Sequence, residues 1–282
     1  MTEKIESLAG VNVLLMGPAG TGKTYSIGTL VDSGIEVFYL ALESGLESLL
    51  GYYTDRGLTI PDNLHWHTLR GTRASLDELY ANAKKVNTFS YDALTKMVDP
   101  DRNRHGKYMG MLQVLNEFTD DRTGENFGAV SSWGTGRAIV IDGLTGMSRT
   151  AMSMVIGGKP VISPSEWGVA QGQLETLLRL LTDDVRAHFI LLAHVERETD
   201  LILGGVKLMV STLGKALPPK LPSMFSDVIL AARSGNEWTW DTASAQADVK
   251  TRNLPIKANI APDFAQIIEK WKSRGGVAVE SI

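Results

Sequence analysis

Between Gly17 and Thr24 the chain reads GPAGTGKT. The run Gly17, Pro18, Ala19, Gly20, Thr21, Gly22, Lys23, Thr24 matches G-x-x-x-x-G-K-[ST] in full. Glycines let a backbone curl until several N–H groups converge on phosphate oxygens. A helix opening at the same place adds a field that favours anions. Lys23 is expected to bridge the terminal phosphates of a nucleotide, and the Thr24 hydroxyl to ligate Mg²⁺. Tyr25 follows directly and is counted with this cofactor-binding segment. It is expected to pack on the adjacent helix and is assigned no chemistry of its own.

A second chemical feature lies far downstream. Residues 138–146 read AIVIDGLTG, an apolar run that ends on one carboxylate, Asp142. A carboxylate at the carboxyl end of a buried strand suits a metal ion, held here through water. An N-cap is the other role open to this aspartate. Gly143 follows it, so no neighbouring residue supplies a base to activate water. Glu43 is the candidate. It ends VFYLALE (37–43), a second buried run, and ligands bind outside the carboxyl ends of such strands. Glutamate is a poor helix cap beside Ser44, which leaves Glu43 for chemistry.

These residues need strands and helices to hold them. VNVLLMG (11–17), EVFYLAL (36–42), AIVID (138–142) and HFILLAH (188–194) read as strands buried on both faces, and NLHWHTL (63–69) as a short alternating one. The phosphate loop opens a helix that stops at Gly34. Another helix follows Glu43, and residues 165–184 form an amphipathic one with Trp167, Ala170, Leu174, Leu177, Leu178 and Leu181 on one face. Residues 74–121 read as mostly helical, broken at 98–107, and 123–136 as a glycine-rich loop. LILGGVKLMV (201–210) reads as a hairpin turning at Gly204-Gly205. DVILAAR (227–233), EWTWD (237–241) and ADVKTR (247–252) read as antiparallel strands, and 262–273 as a closing helix. Strands alternating with helices predict an α/β fold: a mostly parallel sheet, helices on both faces, and an antiparallel extension at one edge.

Composition sets outer limits. The chain has 282 residues, 43% of them hydrophobic and 21% charged, which suits a globular protein. Net charge is −4, so any nucleic-acid contact must come from local loops. There is no cysteine, which excludes disulfides, thiolate zinc sites and a thiol nucleophile. No apolar run nears the ~18–20 residues of a membrane span, and the polar, acidic start does not read as a signal peptide. A cytoplasmic location is expected, with no membrane partner. His65 and His67 flank Trp66 without an evident third ligand, so no metal role is assigned to them. Trp167, Trp238, Trp240 and Trp271 read as core or interface anchors.

The order of phosphate loop, glutamate at the end of the next strand, and lone aspartate resembles the RecA-like ATPases. AAA+ ATPases share the GPxGTGKT wording, but their base directly follows the aspartate, where this chain has Gly143. Nucleoside and shikimate-type kinases share the loop but are usually shorter and lack the later strands. The resemblance implies a single RecA-like domain over 1–282 with a largely helical insertion at about 74–135. It implies that His194, at the end of ILLAH, is a polar sensor of the γ-phosphate. VKTRNLP (249–255) resembles the Lys-x-Arg-Asn signature of the DnaB and KaiC branch. On a strand, Lys250 and Arg252 would share a face. In that branch they reach a neighbouring subunit's nucleotide, which implies a homo-oligomer, ring or filament, with ATP at the subunit interface. ATP is the expected nucleotide, because no guanine-reading N-K-x-D motif occurs.

The resemblance also directs two loops toward single-stranded DNA: 143–168, part of it helical, with Arg149 and Lys159, and 195–215, with Arg197, Lys207 and Lys215. Acidic Glu196, Glu198 and Asp200 dilute the second. DRNRHGK (101–107) is a third candidate contact. STLGKALPPKLPSMFSDVILAAR is similar to small ATPases of bacterial viruses, which act in DNA recombination, strand annealing or replication. Three readings follow: a DNA-dependent ATPase of that kind, a nucleotide-switched partner-loading ATPase, and a small-molecule kinase, for which no arginine-rich lid is found.

Overall fold

The computed structural model describes residues 8–70, 75–88, 90, 92–93, 105–157, 162–199 and 204–279. Its first half alternates strand and helix: β1 (Asn12–Met16), α1 (Lys23–Asp32), β2 (Glu36–Ala41), α2 (Leu46–Thr54), β3 (Leu64–Thr68), α3 (Leu76–Thr88) and α4 (Lys107–Asn116). Then follow β4 (Arg137–Asp142), α5 (Leu144–Ile156), α6 (Pro164–Arg179), β5 (His188–Ala193), β6 (Val195–Thr199) and β7 (Val206–Val210). A one-turn α7 (Leu221–Met224), β8 (Asp227–Ser234), β9 (Glu237–Asp241) and α8 (Ala265–Ser273) complete the described chain.

Seven strands form one sheet in the order β3-β2-β4-β5-β1-β8-β9. All pairs are parallel except β8 with β9. This is the mostly parallel α/β sheet with an antiparallel edge that the sequence predicts. The continuous apolar runs have a direct cause, since both faces are covered. Leu14, Met16, Phe38, Leu40, Ile139 and Ile141 pack under α4, α5 and α6. Their alternating neighbours Val13, Leu15, Val37, Tyr39, Ala41 and Val140 pack under α1, α2 and α8. Helix α6 starts with a capping box, in which the Ser163 hydroxyl accepts from Glu166 N–H and Glu166 accepts from Ser163 N–H. Its apolar face is buried at Ala170, Leu174, Leu177 and Leu178, while Trp167 is partly buried.

Three expectations are corrected. β8 runs parallel to β1, not antiparallel, because it returns to the sheet beside β1 after a long connection. The hairpin is larger and starts earlier than 201–210: β6 pairs with β7 as a separate two-stranded sheet, Val195 opposite Val210. Within 143–168, the expected helical part is α5, which begins at Leu144. Residues 247–252 are not a strand. Lys250 makes one bridge with Val228, and the chain then turns onto Asp227. That buried carboxylate accepts from Thr251 Oγ1 (2.7 Å), Arg252 N–H (2.9 Å), Asn253 N–H (3.0 Å) and Asn253 Nδ2 (2.7 Å). A side chain takes the N–H groups a ladder would have used.

Residues 119–121 lie along the outer edge of β3: Asp121 N–H donates to the Trp66 carbonyl, and Asp120 and Asp121 accept from the N–H groups of Trp66 and Thr68. His65, stacked on Phe38, lies 3.2 Å from Asp120 and 3.4 Å from Glu36, and Arg137 Nε donates to Glu36 at 2.6 Å. Both partners hold the Glu36 carboxyl below its ordinary value of 4.5, His65 most strongly, against partial burial. A depressed carboxyl contributes stability above its unfolded value and loses it as pH falls through the folded one. Glu36→Gln is therefore expected to lower the thermal midpoint at pH 7, with the gap to wild type closing below about pH 4.5. Circular dichroism melts at pH 7 and pH 4 check this, and a gap independent of pH contradicts it.

Candidate functional site

Strand order brings the phosphate loop, Glu43, Asp142 and His194 together. β5 lies between β1, which leads into the phosphate loop, and β4, which ends at Asp142. His194 follows β5 directly, so it sits between the two. β2 pairs with β4, Ala41 opposite Asp142, and the N–H groups of Leu42 and Glu43 both donate to the Asp142 carbonyl. Glu43 is thus tied beside the carboxylate although 99 residues of sequence separate them.

The phosphate loop takes its shape from glycine. Gly20 and Gly22 have φ of +76° and +75°, values that side chains other than glycine rarely adopt. Gly17 packs so closely on the Ala231 carbonyl that a methyl would collide with it. Gly17 N–H donates to Ala193 O at 3.1 Å, fastening the loop to the end of β5. Lys23 Nζ donates to the carbonyls of Gly17 and Pro18, each at 2.8 Å. Burial pulls its ammonium down to about 8, against the Asp142 and Glu43 carboxylates.

Thr24 and Asp142 meet: the threonine hydroxyl donates to Asp142 Oδ2 at 2.8 Å. Tyr39, fully buried in the middle of β2, donates its phenol to the same oxygen. Asp142 Oδ1 accepts no hydrogen bond among the described residues. One hydroxyl and one carboxylate, both hard oxygen donors, are of the kind that would hold Mg²⁺.

Glu43 Oε2 lies 3.5 Å from His194 Nε2. The imidazole holds the Glu43 carboxyl below its ordinary value, against partial burial, and Gly146 N–H and Arg149 add to the effect. A carboxylate kept ionised at the mouth of a phosphate site can take a proton from water. A cavity of about 710 Å³ joins these groups. The phosphate loop, Glu43, Asp142 and His194 line it, as do Trp238 and the α2 face at Ser48 and Asp55.

The tryptophans expected as core or interface anchors divide between the two places. Trp240 and Trp271 are core, but Trp238 is 36% exposed and its indole lies against Gly22 and 5.1 Å from the Tyr25 ring. Tyr25 also packs edge-on against Tyr52 of α2. Tyr39 and Trp238 are the site residues that sequence reasoning missed. A tyrosine inside an apolar run was the one available sign of the first. The second lies 216 residues from Gly22 and had no local sign.

Lys250 and Arg252 do not line this cavity. Both are exposed, on the turn clamped by Asp227. Two of the three basic residues of the second candidate loop meet acids, Lys207 with Asp248 at 2.8 Å and Lys215 with Glu198 at 3.8 Å, while Arg197 lies on β6. Arg149 lies on α5. Lys159, Asp200 and residues 101–104 of the third candidate contact lie outside the described residues. No helix among the described residues is long and apolar enough to cross a membrane.

No protein-family model matches the chain, and no curated protein matches it. Among solved structures, the crystal structure of the RadB recombinase is similar to it with a TM-score of 0.39 and 14% sequence identity, covering 89% of this chain and 86% of that one.

Proposed function

We propose that this chain is a RecA-like ATPase that binds Mg²⁺·ATP and hydrolyses it. One observation carries the reading: a complete phosphate loop whose Thr24 hydroxyl meets Asp142, with an ionised Glu43 on the adjoining strand. The loop N–H groups and Lys23 hold the phosphates. Thr24 and Asp142 would hold Mg²⁺, which supplies charge neutralisation across the phosphoryl oxygens. Glu43 orients water and takes its proton. His194, which follows β5, draws the Glu43 carboxyl below its ordinary value and carries a polar ring to the γ-phosphate side. Lys250 and Arg252 serve a neighbouring subunit in a ring or filament, since they are exposed and away from their own cavity.

The partner on which this ATPase acts is single-stranded DNA, in recombination, strand annealing or replication. A second reading, a nucleotide-switched ATPase that loads a protein partner, is favoured by the pairing of Lys207 and Lys215 with acids, which leaves fewer free charges for phosphate. Steady-state ATP hydrolysis without DNA, with single strands and with duplex separates the two. The DNA reading expects severalfold stimulation by single strands, weakened by salt and lost in Arg252→Ala. A rate indifferent to DNA selects the partner-loading reading. A rate per subunit that stays flat on dilution, with no oligomer by light scattering, removes the role of Arg252 in a neighbour's site.

A further inference from the structure

We propose that Tyr39 is a positioning residue for the metal: its buried phenol fixes the rotation of the Asp142 carboxylate and so sets how tightly this site takes Mg²⁺. The inference rests on the reading of Thr24 and Asp142 as the metal pair. Tyr39 is fully buried, yet its hydroxyl reaches Asp142 Oδ2, the oxygen that Thr24 also engages. The alternation that turns Val37, Tyr39 and Ala41 to one face of the sheet turns Ala138 and Val140 to it as well. Asp142 is next in that series, which brings phenol and carboxylate together across the β2–β4 pair.

Two hydroxyl donors on one oxygen hold a carboxylate against rotation about its last bond. Oδ2 is then committed to the protein, and Oδ1 is left for a metal-bound water. The Thr24 hydroxyl can donate its hydrogen to Oδ2 and offer a lone pair to the cation at once. Tyr39 has no such second task and anchors the carboxylate from the protein side. Gly45 keeps the pair undisturbed: a methyl group there would fall inside contact distance of both Asp142 Oδ2 and the Tyr39 hydroxyl. Partners behind a metal ligand commonly change metal affinity by about 10–100-fold when removed.

The test reads metal binding without turnover. ADP binding is titrated calorimetrically at rising Mg²⁺ concentration in wild type, Tyr39→Phe, Gly45→Ala and Asp142→Asn. Tyr39→Phe is expected to bind ADP without metal as wild type does, which also reports an intact phosphate loop, but to need about tenfold more Mg²⁺ for the same gain in affinity. Gly45→Ala, whose φ of −101° alanine adopts, pushes on the pair from the other side and is expected to shift the Mg²⁺ requirement the same way. It carries the test if the phenylalanine variant does not fold. A Mg²⁺ response lost in Asp142→Asn but unchanged in both other variants overturns the role of Tyr39 alone. A response unchanged in Asp142→Asn as well overturns the metal pair, and the inference with it.

Discussion

Lys23→Ala is expected to lower ATP turnover by about 100-fold or more and to weaken ATP binding. Its ammonium is the one cation inside the loop at the phosphate position, and it is held between the Gly17 and Pro18 carbonyls. Losing one preorganised donor to a developing oxyanion costs about 10²–10³ in rate, and this donor also carries a full charge. The fold should survive, because the loop is shaped by Gly20, Gly22 and the bond from Gly17 to Ala193, none of which involves the lysine side chain. Steady-state hydrolysis and equilibrium ATP binding on the same preparation check both halves. Turnover equal to wild type would remove the assignment of this segment as a phosphate loop.

Glu43→Gln is expected to separate binding from chemistry. The amide keeps the size of the side chain but cannot accept a proton, so hydrolysis should fall by about 10²–10⁴ while Mg²⁺·ATP still binds. Glu43 N–H donates to the Asp142 carbonyl, which anchors the residue beside Thr24 and Asp142, and His194 at 3.5 Å holds its carboxyl below the ordinary value. Single-turnover hydrolysis with equilibrium binding of labelled ATP makes the separation visible. Hydrolysis within threefold of wild type would show that the base is elsewhere. Loss of ATP binding in step with hydrolysis would make Glu43 a structural support of the pocket.

The two variants differ in what could be foreseen. Lys23 was legible because its motif is contiguous: eight neighbouring residues contain the turn glycines, the cation and the hydroxyl. Glu43 required a guess about strand order, since its position at a strand end means little until that strand lies beside Asp142. The register of β2 with β4 supplies this.

Lys250 and Arg252 mark the opposite case. Their spacing predicts a shared strand face, and the local pattern supports it. Asp227 overrides that pattern by capturing the N–H groups of Arg252 and Asn253, so the segment turns where alternation predicts it to extend.

Local sequence by itself determined the parallel α/β class, the phosphate loop and the carboxylate-ended strands, because runs buried on both faces and glycine-shaped turns depend on neighbours close in the chain. Only the tertiary structure decided that β5 separates the loop from Asp142, that His194 meets Glu43, and that Tyr39 stands behind Asp142. Each of these is a contact across strands whose order no single segment encodes. A hydrogen bond in a packed interior forms wherever the sheet brings donor and acceptor within reach, and that is set by how all the strands are buried together.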